Sequence, residues 1–269
     1  MLKITQISPS TKISYRHAGE CESPTLVFLH AFPLSSAMWE RQIEEFSSDY
    51  EVFAPDFRGI AQTTPFSDKP SIQTLADDLA LWLEKLDLYG PITLCGLSMG
   101  GYVALEFARQ FPQFLGRLIL ADTRADTDSA DAKKGRGEMI EFAKNNAGRA
   151  VAQKMLPKLL GATTQRENLR VAQTVKAIAS ANSGENLAKI IAALRDRRDS
   201  GDVLPQIAVP TLVIGGNEDG ISPTDVMAQM ADQIPRARHV SIEGAGHLSS
   251  LEKPEEFNRE LRKFLEEIK

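Results

Sequence analysis

Ile92-Thr93-Leu94-Cys95-Gly96-Leu97-Ser98-Met99-Gly100-Gly101-Tyr102-Val103-Ala104-Leu105 is apolar or β-branched up to Gly96 and helix-forming after Gly101. The stretch reads as strand, abrupt turn, helix, with Ser98 at the corner. A serine held at so tight a turn needs small neighbours two places before and two after, where Gly96 and Gly100 stand. The helix then carries Gly100, Ala104 and Ala108 at i, i+4 and i+8, a stripe that lets its backbone lie close to a sheet. Such a corner leaves the Ser98 hydroxyl at a helix N-terminus, where the dipole and free N–H groups favour a developing negative charge.

Two nucleotide-binding patterns fail on this stretch. A dinucleotide fingerprint requires glycine at position 98, and a P-loop requires Lys followed by Ser or Thr after Gly101, where Tyr102 and Val103 stand. A serine that only caps a helix stays open on these residues alone, so partners elsewhere must decide.

Working outward, apolar runs alternate with helical patterns. Residues 3–8 and 11–18 read as two half-exposed strands around Ser8-Pro9-Ser10, an antiparallel start to a sheet. Buried strands follow at 25–29, 51–54, 92–97, 117–122 and 210–216, with a last strand at 237–242. Helices are expected at 36–46, at 71–86 with Trp82 on its apolar face, after Ser98 until Pro112, and at 222–233. A closing helix begins at Pro254, with Phe257, Leu261, Phe264, Leu265 and Ile268 on one side. The pattern specifies an α/β fold, a mostly parallel eight-stranded sheet flanked by helices.

Strand signals vanish over 124–202, a stretch rich in Ala, Lys, Arg and Glu. Helices are expected there at 132–145, 147–156, 165–180 and 185–195. The stretch reads as a helical lid inserted after the sixth strand, with 1–123 and 203–269 expected to form the core domain. The insertion carries 15 Lys+Arg against 10 Asp+Glu, while the rest of the chain is acidic. That excess raises the expectation of an anionic substrate, against a plainly solvated helix surface.

With 269 residues, 42% hydrophobic and 25% charged, the chain suits one large domain with an insertion. A net charge of −5 and the absence of nucleic-acid motifs make a small molecule the expected partner. No apolar leader opens the chain and no run nears the roughly 18 apolar residues of a spanning helix, so a cytoplasmic protein without a membrane partner is expected. Cys21 lies in a polar loop and Cys95 in an apolar strand, which argues against a disulfide framework. Neither metal nor cofactor is expected.

A serine hydroxyl needs a base and an acid behind it to act as a nucleophile. Of the 4 histidines, His17 and His239 lie within strands and read as structural. His247 sits in Gly244-Ala245-Gly246-His247, a flexible loop after the last strand, and is the expected base. Asp219, in Gly215-Gly216-Asn217-Glu218-Asp219-Gly220, follows a strand end and is the expected acid, with Glu218 adjacent and Asp122 in reserve. An oxyanion would be met by the N–H of Met99 and by that of Phe32, on the loop His30-Ala31-Phe32-Pro33. His30 would hold that loop rather than move protons. Phe32, Met99, Met139, Phe142 and Leu248 are the candidate walls of an apolar pocket.

With Gly96-Leu97-Ser98-Met99-Gly100, Asp219 and His247 in this order, the chain resembles the α/β-hydrolase superfamily of Ser-His-Asp enzymes over nearly its whole length. The resemblance implies a cofactor-independent serine hydrolase, an esterase or lactonase forming an acyl-enzyme on Ser98. The same motifs also serve lyases, carbon–carbon bond hydrolases, perhydrolase-type enzymes and slow-turnover ligand receptors. Two positions depart from the family pattern. Ala31 stands where a glycine often follows the histidine, and Ala61 where a further glycine often follows Asp-x-Arg-Gly.

Overall fold

The structure, a computed structural model, describes residues 1–67 and 69–267. The expected helix position Ile268 lies outside the described residues. The eight strands are β1 (Leu2–Ser8), β2 (Thr11–Ala18), β3 (Thr25–Leu29), β4 (Glu51–Pro55), β5 (Ile92–Leu97), β6 (Leu115–Ala121), β7 (Thr211–Gly216) and β8 (Ala237–Ile242). They form one sheet in the order β1-β2-β4-β3-β5-β6-β7-β8. β2 pairs antiparallel with both β1 and β4, and every other pairing is parallel. β5 and β7 are buried along their whole length, as strands covered on both faces must be, while edge strand β1 is largely exposed.

Side chains alternate across the sheet and feed two apolar clusters. Val27 and Leu29 point into one cluster with Trp82 and Phe107, beneath α2 (Ile72–Lys85) and α3 (Met99–Gln110). Leu26 and Phe28 point into the other with Phe46 and Phe257, beneath α1 (Glu40–Phe46) and the closing helix (Pro254–Glu266). Trp82 is fully buried, edge-on to Tyr15 and Phe53 at 5.3 and 5.8 Å between ring centroids, which places it in the core as expected.

Five helices lie between β6 and β7: α4 (Ala130–Lys144), α5 (Gly148–Leu159), α6 (Ala162–Glu167), α7 (Leu169–Ala179) and α8 (Gly184–Arg195). α4 packs on α8 and α5 on α7. The single helix expected over 165–180 is two, because Asn168 leaves the helical region at φ −135°, ψ 72°. Residues 36–46 likewise divide into a 3₁₀ turn, Ser36–Trp39, and α1, the turn being capped by the Ser35 hydroxyl. After β7 come α9 (Thr224–Asp232), α10 (Ser249–Glu252) and α11 (Pro254–Glu266). α10 is too short to leave a periodic signal. No helix among the described residues is long and apolar enough to cross a membrane.

Candidate active site

At the end of β5 the chain reverses into α3 through Ser98, whose φ of 55° and ψ of −110° are unusual for any residue with a side chain. The corner is over-determined by hydrogen bonds. Ser98 donates its N–H to Ala121 O at 2.9 Å, and its own carbonyl accepts from Tyr102 N–H at 3.1 Å and from the Thr123 hydroxyl at 2.9 Å. The two glycines are required by close approach. A Cβ at Gly96 would lie 2.2 Å from Gly100 O, and one at Gly100 would lie 2.3 Å from Leu29 O.

Parallel strands bring their C-terminal loops to one edge, and three distant side chains meet there. His247 Nε2 lies 2.7 Å from Ser98 Oγ, and His247 Nδ1 lies 2.8 Å from Asp219 Oδ2. An ionised carboxylate only accepts, so Nδ1 carries the imidazole proton and Nε2 accepts from the Ser98 hydroxyl. The other Asp219 oxygen accepts from the N–H groups of Ile221 and Ser222 at 2.7 and 3.0 Å, which aims the carboxylate. The three groups are almost closed to solvent, with Ser98 at 8%, Asp219 at 5% and His247 at 2% exposure.

Both reserve acids have other partners. Glu218 accepts from the Thr163 N–H at 2.8 Å and hydroxyl at 2.6 Å, which hold its carboxyl below the usual range. Asp122 accepts from Gly216 N–H at 2.9 Å and from the Ser249 hydroxyl at 2.5 Å; complete burial, then the Asp219 carboxylate, push its pKa up. His17 contacts Glu51 and Lys3, and half-buried His239 has its pKa lowered by desolvation. Neither lies in this hydrogen-bonded group.

Phe32 follows β3 and Met99 follows Ser98 at the end of β5, on neighbouring parallel strands of the sheet. Among the described residues neither the Phe32 nor the Met99 N–H has a hydrogen-bond partner, although both residues are buried. An unpaired buried N–H is uncommon and is satisfied when a ligand oxygen arrives. His30 holds the Phe32 loop from within the core. Its Nε2 accepts from Phe57 N–H at 3.1 Å, which leaves Nδ1–H to donate to Ala31 O at 3.1 Å. Burial lowers its pKa to about 4, so it stays neutral at neutral pH and moves no charge.

The insertion reaches both sides of this group. His247 N–H donates to Leu159 O at 3.1 Å, and Glu252 accepts from Gly161 N–H at 2.9 Å and from Leu248 N–H at 3.1 Å. Asn182, buried between α7 and α8, reaches the Phe32 loop. Sequence reading missed Asn182 and Glu252. Asn182 stands in a polar inter-helix loop where asparagine is an ordinary turn residue, and nothing local marks its distant partners. Of the candidate pocket walls, Phe32 and Met99 share a cluster against which Met139 and Phe142 pack. Leu248 lies instead in the other cluster, fully buried. Several of the insertion's cations are already paired: Arg124 with Asp126, Arg136 and Arg197 with Asp128, Arg195 with Asp196, and Arg198 with Glu106.

A model of the alpha/beta hydrolase fold matches residues 24–254. The chain is 26% identical over 260 residues to 3-oxoadipate enol-lactonase 2 of Acinetobacter baylyi, spanning 95% of this chain and 94% of that one. It is 24% identical over 282 residues to epoxide hydrolase 1 of Caenorhabditis elegans, spanning 94% and 68%. Among solved structures, a thermophilic esterase from Thermogutta terrifontis with malate bound is 34% identical, with 99% and 98% covered and a TM-score of 0.92.

Proposed function

The chain belongs to the α/β-hydrolase fold family, in its esterase- and enol-lactonase-like branch, and from that premise we propose that it cleaves a small carboxylic ester or lactone through an acyl-enzyme on Ser98. The observation that carries this reading is the unbroken hydrogen-bond chain Ser98–His247–Asp219.

In this reading Ser98 Oγ attacks the carbonyl carbon as its proton passes to His247 Nε2. Asp219 holds the imidazole in the Nδ1–H form and stabilises the imidazolium that results. The carbonyl oxygen, now an oxyanion, takes the N–H groups of Phe32 and Met99. Protonated His247 gives its proton to the leaving alkoxide, and the acyl group stays on Ser98. Water then attacks the acyl carbon, its proton passes to Nε2, and the acid leaves as Ser98 Oγ is reprotonated. Every proton is carried by His247, so the sequence of steps needs no cofactor beyond water.

The insertion, residues 124–202, serves as the lid, and Phe32, Met99, Met139 and Phe142 wall the acyl site. Its arginine pairs with Asp126, Asp128 and Asp196 are already counted in its net positive charge, so the excess still favours an anionic substrate by long-range attraction. The two free cysteines, Cys21 and Cys95, fit a cytoplasmic setting.

Ser98→Ala and His247→Ala are each expected to lower turnover of p-nitrophenyl acetate on the order of 10⁴-fold or more. Near-normal hydrolysis by either purified variant would overturn the reading. Intact-mass measurement during turnover of a slow ester is expected to find the acyl group on the wild-type chain and none on Ser98→Ala.

A further inference from the structure

We propose that Asn182 is a positioning residue for the oxyanion hole, so that the helical insertion sets the aim of the Phe32 N–H as well as covering the site. The proposal rests on the reading above, in which Phe32 is an oxyanion donor.

Asn182 is 3% exposed and spends both ends of its side-chain amide on the core domain. Its Nδ2 donates to Pro33 O at 3.0 Å, and its Oδ1 accepts from Ala61 N–H at 3.0 Å. A carbonyl can only accept and an N–H can only donate, so the flipped amide would set like against like at both contacts. Its backbone is fixed as well: Asn182 N–H donates to Ala179 O at 3.1 Å, and Asn182 O accepts from Gly148 N–H at 3.2 Å. The side chain is therefore a rigid strut from the junction of α5 and α7 to two loops of the core.

Those two loops are the ones His30 already joins. His30 ties Ala31 O to Phe57 N–H, and Asn182 ties Pro33 O to Ala61 N–H. Phe32 is the residue between the two ties. The first comes from the core and fixes the loop upstream of Phe32; the second comes from the insertion and fixes it downstream. Removing the second leaves the Phe32 N–H free to swing while the Ser98–His247–Asp219 chain, which Asn182 does not touch, stays whole. The family's usual glycine is absent at Ala61, and that alanine is held at φ 50°, a conformation that needs outside support of the kind Asn182 supplies.

The test uses the full chain carrying Asn182→Ala and, separately, Asn182→Asp, which keeps an acceptor for Ala61 N–H but has no donor for Pro33 O. Three quantities are read: kcat, KM, and the inhibition constant of a trifluoromethyl ketone that adds to a serine hydroxyl to form a tetrahedral oxyanion. Both variants are expected to lose about 10- to 100-fold in kcat with KM within about threefold, since a displaced donor costs less than a deleted one. The ketone's affinity is expected to fall in step with kcat/KM, and the pH profile of kcat/KM is expected to keep its position. Val175→Ala, which opens the core of the insertion while leaving both Asn182 side-chain hydrogen bonds in place, is the control; it is expected to lower Tm and leave kcat and ketone affinity unchanged. Should Asn182→Ala fail to fold, Asn182→Ser is judged by the same criteria. Unchanged kcat and ketone affinity in the Asn182 variants, or equal losses in Val175→Ala, would overturn the proposal while leaving the hydrolase reading intact. Full activity in Ser98→Ala would overturn that reading instead.

Discussion

The turn at Ser98 and the loop at Phe32 stand on the same edge of the sheet and are built in opposite ways. The Ser98 turn is closed by its neighbours: Gly96 and Gly100 flank it, β6 caps its N–H, and Thr123, two residues past β6, holds its carbonyl. The Phe32 loop depends on residues far along the chain, with Phe57, Ala61 and Asn182 supplying its ties. A nucleophile must be presented at one fixed place, and close approach of backbones together with the Ala121 and Thr123 hydrogen bonds does that. Under the proposed function, a pair of N–H donors must match an oxyanion that exists only during reaction, and the loop carrying one of them is held from two separate parts of the chain.

The largest expected effect falls on the chain of groups behind the rigid turn. Asp219→Asn keeps an acceptor for Ile221 and Ser222 but removes the acceptor that fixes the imidazole proton on Nδ1, so kcat/KM is expected to fall on the order of 10³- to 10⁴-fold with little change in Tm. A loss of less than tenfold would mean that the orientation of His247 is set elsewhere.

Next comes the turn itself. Gly100→Ala puts a Cβ against Leu29 O, where only backbone movement can relieve the overlap. A loss of about 3 kcal/mol is expected, a fall in Tm of roughly 6–12 °C. A variant that melts like wild type would show that the turn is less closed than its contacts imply.

A similar magnitude, readable only against pH, belongs to the Phe32 loop. Burial lowers the pKa of His30 from 6.5 to about 4, so the folded chain disfavours its cation. The stability held by keeping it neutral is complete above pH 6.5. It is lost as pH falls toward 4, because the unfolded chain takes up a proton that the folded chain refuses. The loss amounts to about 3 kcal/mol and levels off below pH 4. Asp56 and Asp122, whose pKa values burial pushes up, contribute with the opposite sign. They cancel in the difference between wild type and His30→Asn, measured by denaturant titration from pH 4 to 7, which is expected to leave the His30 component of the slope alone.

The smallest effect sharpens the comparison most. Ala61→Gly relieves roughly 1 kcal/mol of left-handed alanine strain and returns much of it as unfolded-chain entropy. Tm is expected to rise by no more than a few degrees, with kcat unchanged while Asn182 remains. A large drop in kcat would mean that the alanine itself, and not the asparagine, stiffens the loop.

Legibility in the sequence followed the same division. The Ser98 turn could be read because its causes are local: glycines two residues to either side, and apolar and helical periods that change at the corner. The strands were legible for a related reason: burial on both faces demands a continuous apolar run, as in β3, and half-burial leaves an alternating one, as in β2 and β8, and all three have the bounds expected of them. Asp219 and His247 could be expected near Ser98 because strand ends of a parallel sheet share an edge, and both hydrogen-bond into one group with it. The break at Asn168 and the four-residue α10 escaped because neither spans a full helical period. Leu248 was expected at the pocket from its place after His247, yet it turns into the core with Ala245 and Phe257.

Taken alone, the amino-acid sequence determined the sheet, the sharp turn at Ser98 and the order of the three polar groups, because each follows from short-range sterics or from the period of apolar residues. The tertiary structure alone decided which carboxylate faces His247, that the Phe32 and Met99 N–H groups have no hydrogen-bond partner among the described residues, and that Asn182 reaches the Pro33 carbonyl. These are contacts between residues as much as 149 positions apart, and no local pattern encodes them. A hydrogen bond across such a separation forms only after packing has fixed both of its ends.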